Sequence, residues 1–423
     1  MARVIRRRWE STLDAGVPRR DRQPCEYEAY VPDPLMGRPI TLDGDIAADV
    51  TDAEAAITRL NLDVATLADT EALARLLLRA ESVASSRIES LEVGGRRLLH
   101  AEAARALGEQ PRDVTAAEVL GNIDAMVWSV QTVAGTGTIS VGLLLEMHRR
   151  LLSGTRLAPH AGRIRAEQNW IGGSSYNPCS ADFVPPPPEM VAPLLEDLCE
   201  FCNGDSLPAV AQAAVAHAQF ETIHPFADGN GRTGRALIHL VLRRRGLATR
   251  VLPPVSLILA TRSKDYVDAL TATRYRGAPS SPPAHEGLNR WVALFAGACR
   301  QAVADAESFE ARTRELKQSW RARLGRVRAN SATDILIRTL PGVPIVTVGG
   351  AAELTGRTFQ AVNEAISRLV DAKILAQVNM GRRNRAFEAK EVIDAFTDLE
   401  RQLASPRGDT RASPPARPTP RRR

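Results

Sequence analysis

The residues best suited to chemistry lie together in one segment, His224–Arg235, with the sequence HPFADGNGRTGR. The segment contains an imidazole (His224), a carboxylate (Asp228) and two arginines (Arg232 and Arg235) three residues apart. An imidazole suits a general base near neutral pH. One carboxylate suits a Mg²⁺ ion that phosphates also hold, and paired guanidinium groups suit phosphate oxygens. These residue types predict a nucleotide phosphate site with an adjacent base.

The glycines and the flanking elements must bring those groups to one ligand. Pro225 is expected to end the preceding helix, and Gly229, Asn230 and Gly231 permit positive φ and close approach of backbone N–H groups. A helix is expected to begin near Arg232, with both arginines on one face. Because a helix N-terminus is an anion-binding site, the spacing predicts a phosphate cradle at this point.

The segment resembles the signature of the Fic family, HxFx(D/E)GN(G/K)RxxR, at every constrained position. The similarity extends over about residues 30–300, including 148–152, 162–173 and 183–188. The resemblance implies protein adenylylation, in which AMP passes from ATP to a Ser, Thr or Tyr hydroxyl of a target protein. ATP and Mg²⁺ are the implied cofactors, and self-modification and a homodimer through the core are implied as further properties of such relatives.

The resemblance also implies roles for individual residues. His224 is the implied general base, and Asp228 is the implied Mg²⁺ ligand. In the flap that precedes the signature, Ile171 and Gly172 are implied to hold the target backbone in an extended register. The implied nucleotide-binding residues are Gly229, Asn230, Gly231, Arg232, Gly234 and Arg235.

A second resemblance concerns inhibition. The segment Ser85–Ser90, with the sequence SSRIES, resembles the family's (S/T)xxxE(G/N) helix, although Ser90 replaces Gly or Asn. The resemblance implies that Glu89 pairs with Arg235 and prevents productive binding of the γ-phosphate. In some relatives the same glutamate supports removal of AMP from the target. Net AMP removal is therefore an alternative that the sequence leaves open.

Helical spacing of apolar residues dominates the chain and predicts a mainly α protein. Residues 163–188 have turn and strand signals instead. The resemblance implies a helical Fic core in which this stretch forms a small β-hairpin flap. The expected segments, in chain order, are an N-terminal arm and first helix (1–70), a Fic core (71–277) with an inhibitory helix at about 71–92 and a catalytic loop at 224–235, a helical connector (278–330), a winged helix-turn-helix (331–404) and a disordered basic tail (405–423).

The winged helix-turn-helix prediction for 331–404 leaves the partner open. Its presumed recognition helix, Thr358–Ala372, offers polar groups for base edges, and a wing with Arg382, Arg383 and Arg385 suits phosphate contact. However, the block has nine basic and nine acidic residues, a weak electrostatic footprint for DNA binding. DNA binding and a protein-docking or dimerising role both remain, and so does a DNA-binding regulator that uses the Fic core as a nucleotide sensor.

Charge and cysteine content argue against a basic nucleic-acid-binding surface and against a disulfide-rich fold. The arginine-rich ends, 1–22 and 405–423, carry +4 and +5 of the net charge of +6 and leave −3 for the rest of the chain, so a uniformly basic surface is not expected. The five cysteines predict no disulfide framework, and Cys199 and Cys202 are expected to be buried helix residues. We expect a cytoplasmic protein without a membrane span.

Three histidine and tyrosine residues have competing interpretations. His217, His224 and Asp228 have a spacing that would suit a two-histidine, one-carboxylate metal site only on an unbroken helix. Because Pro225 and the glycines break that helix, His217 is expected to pack or hydrogen-bond in the core. Tyr266 lies where the resemblance implies a tyrosine near the adenine.

Overall fold

The computed structural model describes residues 1–11, 17–65, 70–106, 108–109, 113–133, 137–380 and 384–403. It confirms a mainly helical protein. The predicted disordered tail and two of the expected wing arginines, Arg382 and Arg383, lie outside the described residues. No helix in the described part is both long enough and apolar enough to span a membrane.

The helices and strands are numbered along the chain. The helices are α1 Gly44–Ala65, α2 Thr70–Ile88, α3 Gly95–Ala106, α4 Val114–Thr132, α5 Val141–Leu152, α6 Val191–Asn203, α7 Ala209–Ile223, α8 Asn230–Arg244, α9 Val255–Thr261, α10 Ser263–Ala272, α11 Pro282–Leu324, α12 Ala332–Thr339, α13 Val348–Thr355, α14 Phe359–Asp371 and α15 Lys390–Leu403. The strands are β1 Arg3–Trp9, β2 Cys25–Val31, β3 Ile345–Thr347, β4 Ala376–Met380 and β5 Asn384–Glu388.

The chain forms two compact units, and each unit combines three separate segments of sequence. The first unit comprises 1–54, 128–247 and 264–297, and the second comprises 55–127, 248–263 and 298–423. Neither unit is one continuous stretch. The two units do not test the five consecutive segments expected from the sequence, and that division stays a prediction.

The N-terminal arm of the first unit is a two-stranded antiparallel sheet. Strands β1 and β2 pair along their full length, from Arg3 opposite Val31 to Trp9 opposite Cys25. The arm expected at the N-terminus is thus a paired sheet. The polar β1 has no clear apolar alternation, and its conformation depends on backbone pairing with a strand more than fifteen residues away. On β2, the buried Tyr30 donates its hydroxyl to the Tyr275 carbonyl, at 2.7 Å.

Helices α7 and α8 pack against each other in the first unit and are joined by residues 224–229, the first part of the segment 224–235. Every residue of α7 is buried, and so are the first thirteen residues of α8. A Cβ atom at Gly234 would lie 2.6 Å from Glu221 Oε1 and 2.9 Å from the Phe220 ring. Gly234 is therefore needed for close packing of the two helices, and its implied nucleotide contact stays a prediction.

The flap is smaller than predicted. Instead of short strands, 163–188 contains one antiparallel bridge, between Ile171 and Phe183, and a short 3₁₀ turn at Pro178–Ser180. The four prolines at 185–188 have no N–H group to extend a strand ladder. The bridge still closes a hairpin-like turn, with Ile171 N–H donating to the Phe183 carbonyl at 2.8 Å.

In the second unit, α2 ends before the glutamate of the inhibitory motif. The helix was expected to run to about residue 92 but ends at Ile88, and Glu89 lies exposed in the following turn. Ser90 is left-handed, with φ of 63°. The N–H groups of Ser90 and Leu91 donate to the carbonyls of Arg87 and Ser86, which is a Schellman cap. Ser85 lies buried inside the helix.

The cap explains why the inhibitory motif has Gly or Asn at the position of Ser90. A left-handed residue after a helix favours Gly or Asn, and those are the residues that the motif has at this position. We expect Ser90→Gly to stabilise the protein by about 0.5–1 kcal/mol. Urea unfolding of both proteins measures the difference. Ser90→Val should destabilise it, and equal stability of all three would contradict the role assigned to this turn.

The C-terminal block of the second unit combines helices with a small sheet. Helices α12, α13 and α14 are followed by strands β4 and β5, and the three-stranded antiparallel sheet has the order β3-β5-β4. The block packs on α3, where Leu99 and Ala103 join Ile345 and Ile393 in one apolar cluster. The buried Glu388 on β5 pairs with an α3 arginine, Arg96, at 2.8 Å.

Candidate active site

The predicted base lies where α7 ends. His224 caps the helix in a left-handed conformation (φ 49°, ψ 61°) and is half-buried. Pro225 then prevents the helix from continuing. Phe226 is fully buried and stacks on His148, with ring centroids 3.8 Å apart. The imidazole of His224 is therefore presented at a fixed helix exit and anchored by the next aromatic residue.

Two asparagine side chains hold the backbone of this loop. Asn230 accepts from the Phe226 N–H and donates to the Phe226 carbonyl, both at 2.8 Å. Asn169, which precedes the flap, donates to the carbonyls of Phe226 and His224, at 3.0 and 3.3 Å. The Asn230 amide thus shapes the loop, so its expected contact with phosphate is restricted to its backbone N–H.

The N-terminus of α8 faces the same loop. Gly229 caps the helix with φ of 77°, and the Thr233 N–H makes the first helical bond, to the Gly229 carbonyl at 3.0 Å. The helix begins at Asn230, two residues earlier than expected, because Gly229 can adopt the left-handed cap. The N–H groups of Asn230, Gly231 and Arg232 lie in the first turn, where a helix offers donors and positive potential to an anion.

Arg232 and Asp228 form the charged part of the site. Arg232 is 4% exposed and donates from Nη2 to Asp228 Oδ1 at 3.0 Å, whereas the Asp228 side chain is 47% exposed. Nε and Nη1 of Arg232 are buried and have no hydrogen-bond partner among the described residues. Buried donors without acceptors are costly, so the guanidinium is arranged for oxygen atoms of a ligand. Arg235 is 1% exposed and lies one turn further along α8.

Two residues that the sequence analysis did not assign to the site position its backbone. His148 on α5 accepts at Nδ1 from the Gly162 N–H (3.0 Å), and its Nε2 lies 2.9 Å from the Asp228 carbonyl. Burial lowers the pKa of His148 to about 4. The neutral ring therefore carries its proton on Nε2 and donates it to the Asp228 carbonyl.

Arg165 is the second positioning residue. Its buried guanidinium donates to the carbonyls of His224 (2.9 Å), Glu167 (3.1 Å) and Pro186 (2.5 Å), and burial lowers its pKa to about 10. The sequence placed both Arg165 and His148 in stretches that resemble the family, but which carbonyls they bind depends on contacts between distant segments.

The buried histidines predict a pH dependence of stability. Burial lowers the pKa of His148 to about 4 and that of His217 to about 3, from a usual value of 6.5. Between pH 6.5 and these values the unfolded chain binds protons that the folded chain does not. The free energy of unfolding should therefore fall with falling pH, by up to about 1.4 kcal/mol per pH unit for each histidine.

Urea unfolding at pH 7, 6 and 5 tests this expectation. His148→Gln should make the dependence on pH shallower, whereas His160→Gln, at an exposed position, should leave it unchanged. An equal slope for His148→Gln and the unchanged protein would show that His148 titrates normally.

His217 and Tyr266 contact each other in the core. No group of three or more potential metal ligands exists in the part of the chain that the structure describes. His217 Nε2 lies 2.7 Å from the Tyr266 hydroxyl, so the expected core hydrogen bond is confirmed. Tyr266 is 3% exposed and also packs on Trp291. Its buried hydroxyl thus serves the core.

Two of the five cysteines form a disulfide that was not expected from the sequence. Cys25 on β2 is bonded to Cys179, beside the flap, in a disulfide that the sequence analysis did not predict. The sequence separation of 154 residues gives no local signal for this pair. Cys199 and Cys202 are buried as predicted.

Comparison with known proteins shows which families parts of the chain resemble. Residues 138–242 match the Fic/DOC family, and residues 47–131 match the Fic/DOC family N-terminal region. Protein adenylyltransferase fic-1 of Caenorhabditis elegans is 39% identical over 131 residues, which are 30% of this chain and 23% of that protein. Protein adenylyltransferase Fic of Drosophila willistoni is 35% identical over 153 residues, 35% of this chain and 28% of that protein. The chain therefore spans about a quarter of these curated relatives.

Solved structures give two further similarities. A Fic family protein from Desulfovibrio desulfuricans G20 aligns with 83% of this chain and 97% of its own, at 20% identity and a TM-score of 0.49. Fic-1 from C. elegans aligns with 63% of this chain and 74% of its own, at 24% identity and a TM-score of 0.45.

Proposed function

We propose that this chain is a protein adenylyltransferase that moves AMP from MgATP to a hydroxyl side chain of a target protein. The observation that carries the proposal is the buried Arg232, whose Nε and Nη1 lack partners among the described residues at the N-terminus of α8. Such an arrangement binds a polyphosphate. The names of the curated relatives support the same activity.

In the proposed reaction, the target hydroxyl oxygen attacks the α-phosphorus of ATP. The bond to the bridging oxygen breaks, pyrophosphate leaves, and His224 takes the hydroxyl proton. Arg232 and Arg235 would neutralise the negative charge on the leaving phosphates. His148, Arg165 and Asn169 keep the loop carbonyls in place, so that base and phosphate donors stay in register.

The residues fit a Mg²⁺ ion at Asp228. Its carboxylate is about half exposed, and its one ion pair in the described structure is with Arg232. Mg²⁺ is usually held by one or two carboxylates together with substrate phosphates and water. When bound, the ion would neutralise phosphate charge during transfer. Asp228 would hold it.

The flap would receive the target. Ile171 is 37% exposed, but its N–H and carbonyl are both engaged by Phe183, with the carbonyl also accepting from Asp182. A target strand would therefore pair with neighbouring backbone, including Gly172, and Ile171 would contribute its side chain. This refines the role implied for the flap without changing the residues.

Labelled nucleotide distinguishes the proposed reaction from phosphate transfer. With α-labelled ATP and Mg²⁺, we expect protein-bound label and a mass increase of one AMP, on the chain itself or on an added target. With γ-labelled ATP, no label should remain on protein. Label from the γ position, or none in any condition that permits ATP binding, would contradict the proposal.

We propose that Glu89 restrains Arg235 and keeps the enzyme largely inactive. The competing inference, net removal of AMP from the target, uses the same glutamate. Incubating AMP-modified protein with the unchanged chain separates the two, because release of AMP without pyrophosphate indicates removal. Self-modification would appear as label on the chain without target, and a homodimer as a doubled mass in solution.

The C-terminal block supports a second proposal, a winged helix-turn-helix. Its support is a helix, α14, at the proposed recognition helix, the pairing of β4 with β5 after it, and the exposure of Asn363 and Gln360 on α14. Thr358 is less available for base contact than expected, because its hydroxyl accepts from the Ala361 N–H at 3.3 Å as the N-cap. Arg357 also donates to the Asn330 carbonyl. These contacts reduce the surface available to DNA.

Salt-dependent binding tests the DNA proposal. If the wing contacts phosphates, Arg382→Ala combined with Arg383→Ala should weaken duplex binding and lower the slope of log K against log salt by about 2. Arg357→Ala serves as a matched control, because Arg357 is engaged with backbone. No binding to any duplex would leave protein docking as the role of this block, and the nucleotide-sensor regulator would be excluded with it.

A further inference from the structure

The disulfide connects the N-terminal sheet to the flap. Cys25 begins β2, and Cys179 lies in the 3₁₀ turn Pro178–Ser180, with Cα atoms 5.8 Å apart. Cys179 is exposed and Cys25 is half-buried. A dithiol can therefore reach the bond from the Cys179 side.

The other cysteines do not compete for this chemistry. Cys199, Cys202 and Cys299 are buried free thiols. Burial raises the pKa of Cys199 to about 12 and raises the pKa values of Cys202 and Cys299 well above their usual range. Because the thiolate is the reactive form, a redox response of the folded protein would come from the bonded pair.

The turn that contains Cys179 packs directly on the tip of the flap. A Cβ atom at Gly173 would lie 2.2 Å from the Ser180 carbonyl oxygen, so these backbones are in close contact. The Ser174 N–H donates to Ser180 Oγ at 3.1 Å. Two residues after the turn, Asp182 donates to the Ile171 carbonyl at 2.9 Å. The position of the turn therefore fixes the position of the flap.

One further hydrogen bond connects the turn to the N-terminal segment. Asn177 donates to the Asp21 carbonyl at 3.0 Å, and its side-chain oxygen accepts from the Cys179 N–H at 3.0 Å. This hydrogen bond would persist after reduction but is weak compared with a covalent bond. Opening of the disulfide should therefore increase local opening of the turn and of the flap.

We propose that the Cys25–Cys179 disulfide is a redox switch for the target-docking flap. In the oxidised form the bond holds residues 171–183 against the N-terminal sheet. In the reduced form the flap is loosened and receives the acceptor less well. The effect on the acceptor rests on the adenylyltransferase function proposed above, whereas the effect on flap opening does not.

The reduction is a thiol–disulfide exchange with a dithiol. A thiolate of the dithiol attacks the exposed Cys179 Sγ, the S–S bond breaks, and Cys25 leaves as a thiolate that takes a proton from water. The second thiolate of the dithiol then attacks the mixed disulfide and releases Cys179, which is protonated in turn. Two electrons pass from the dithiol to the protein, and the dithiol becomes a disulfide.

Hydrogen exchange of the full chain measures the switch directly. After treatment with dithiothreitol, we expect amides in 171–183 to exchange at least about tenfold faster, while α7 and α8 stay unchanged. Thiol titration without denaturant should rise from none to two. A Cys25→Ser, Cys179→Ser variant should exchange like the reduced chain and should not respond to dithiothreitol. Equal exchange in both forms would overturn the proposal.

A second readout separates this proposal from the proposed function. Incorporation of α-label into protein, either the chain itself or an added target, should fall on reduction in the unchanged cysteine background and stay constant in the double serine variant. Faster exchange with unchanged incorporation would overturn the effect on acceptor docking. No incorporation in any form would contradict the adenylyltransferase function, and exchange alone would then decide the switch.

Discussion

Replacing His224 should nearly abolish transfer of AMP. General bases contribute about 10²–10⁴-fold to rate, and no second imidazole is proposed to take the hydroxyl proton. The best variant is His224→Asn. Since His224 has φ of 49°, and Asn tolerates the left-handed region better than Ala, this change removes the base with little backbone cost. We expect incorporation of α-label to fall by about 10²-fold or more, while ATP binding stays within a few-fold.

The control for this variant is His160→Asn, which alters an exposed histidine outside the site and should retain full activity. His224→Ala tests the backbone argument, because it should be as inactive as His224→Asn but less stable. Activity of His224→Asn within tenfold of the unchanged chain would contradict the role of this imidazole. The nucleotide-sensor interpretation, which needs no base, would then be favoured.

Replacing Glu89 by Gly should raise the transfer of AMP. The inhibitory role implies that the carboxylate competes with phosphate for the guanidinium of Arg235, and a charged hydrogen bond contributes about 1.5–3 kcal/mol. Its loss should increase incorporation by about tenfold to hundredfold. Initial rates with saturating MgATP, and the Kd for ATP, measure the effect.

The structure provides a matched control for Glu89→Gly. Glu92 is also exposed and lies just beyond the same turn, so Glu92→Gly introduces an equal change of charge and flexibility near the same place. We expect Glu92→Gly to leave the rate unchanged. An equal rise in both variants would indicate a general loosening after α2. An unchanged rate for Glu89→Gly would exclude inhibition by this residue.

The turn after α2 determines where the Glu89 side chain lies. Glu89 follows the end of α2 in a turn with a left-handed Ser90, so its position depends on that turn as well as on the helix. Ser90→Gly should therefore be measured for activity as well as for stability. If the more favourable cap fixes Glu89 more firmly, transfer should decrease.

The local backbone geometry of the candidate site could be predicted from the sequence because its residues are close together along the chain. His224, Asp228 and Arg232 are within nine positions of one another, and proline and glycine set the helix end and the helix start around them. Backbone preferences at these residues act over a few positions, so a single segment determines the local geometry. The helix expected at Thr358–Ala372 forms as α14, Phe359–Asp371, for a similar reason, since its apolar spacing and its N-cap, Thr358, are local.

Only the tertiary structure decided which distant residues hold that segment in place. The contacts of His148, Arg165 and Asn169 with the loop carbonyls join segments separated by more than fifty residues. The pairing of β1 with β2 and the disulfide between Cys25 and Cys179 are equally non-local. Such contacts depend on which buried backbone groups require partners after the chain has folded. The spacing of residues along the sequence does not contain that information.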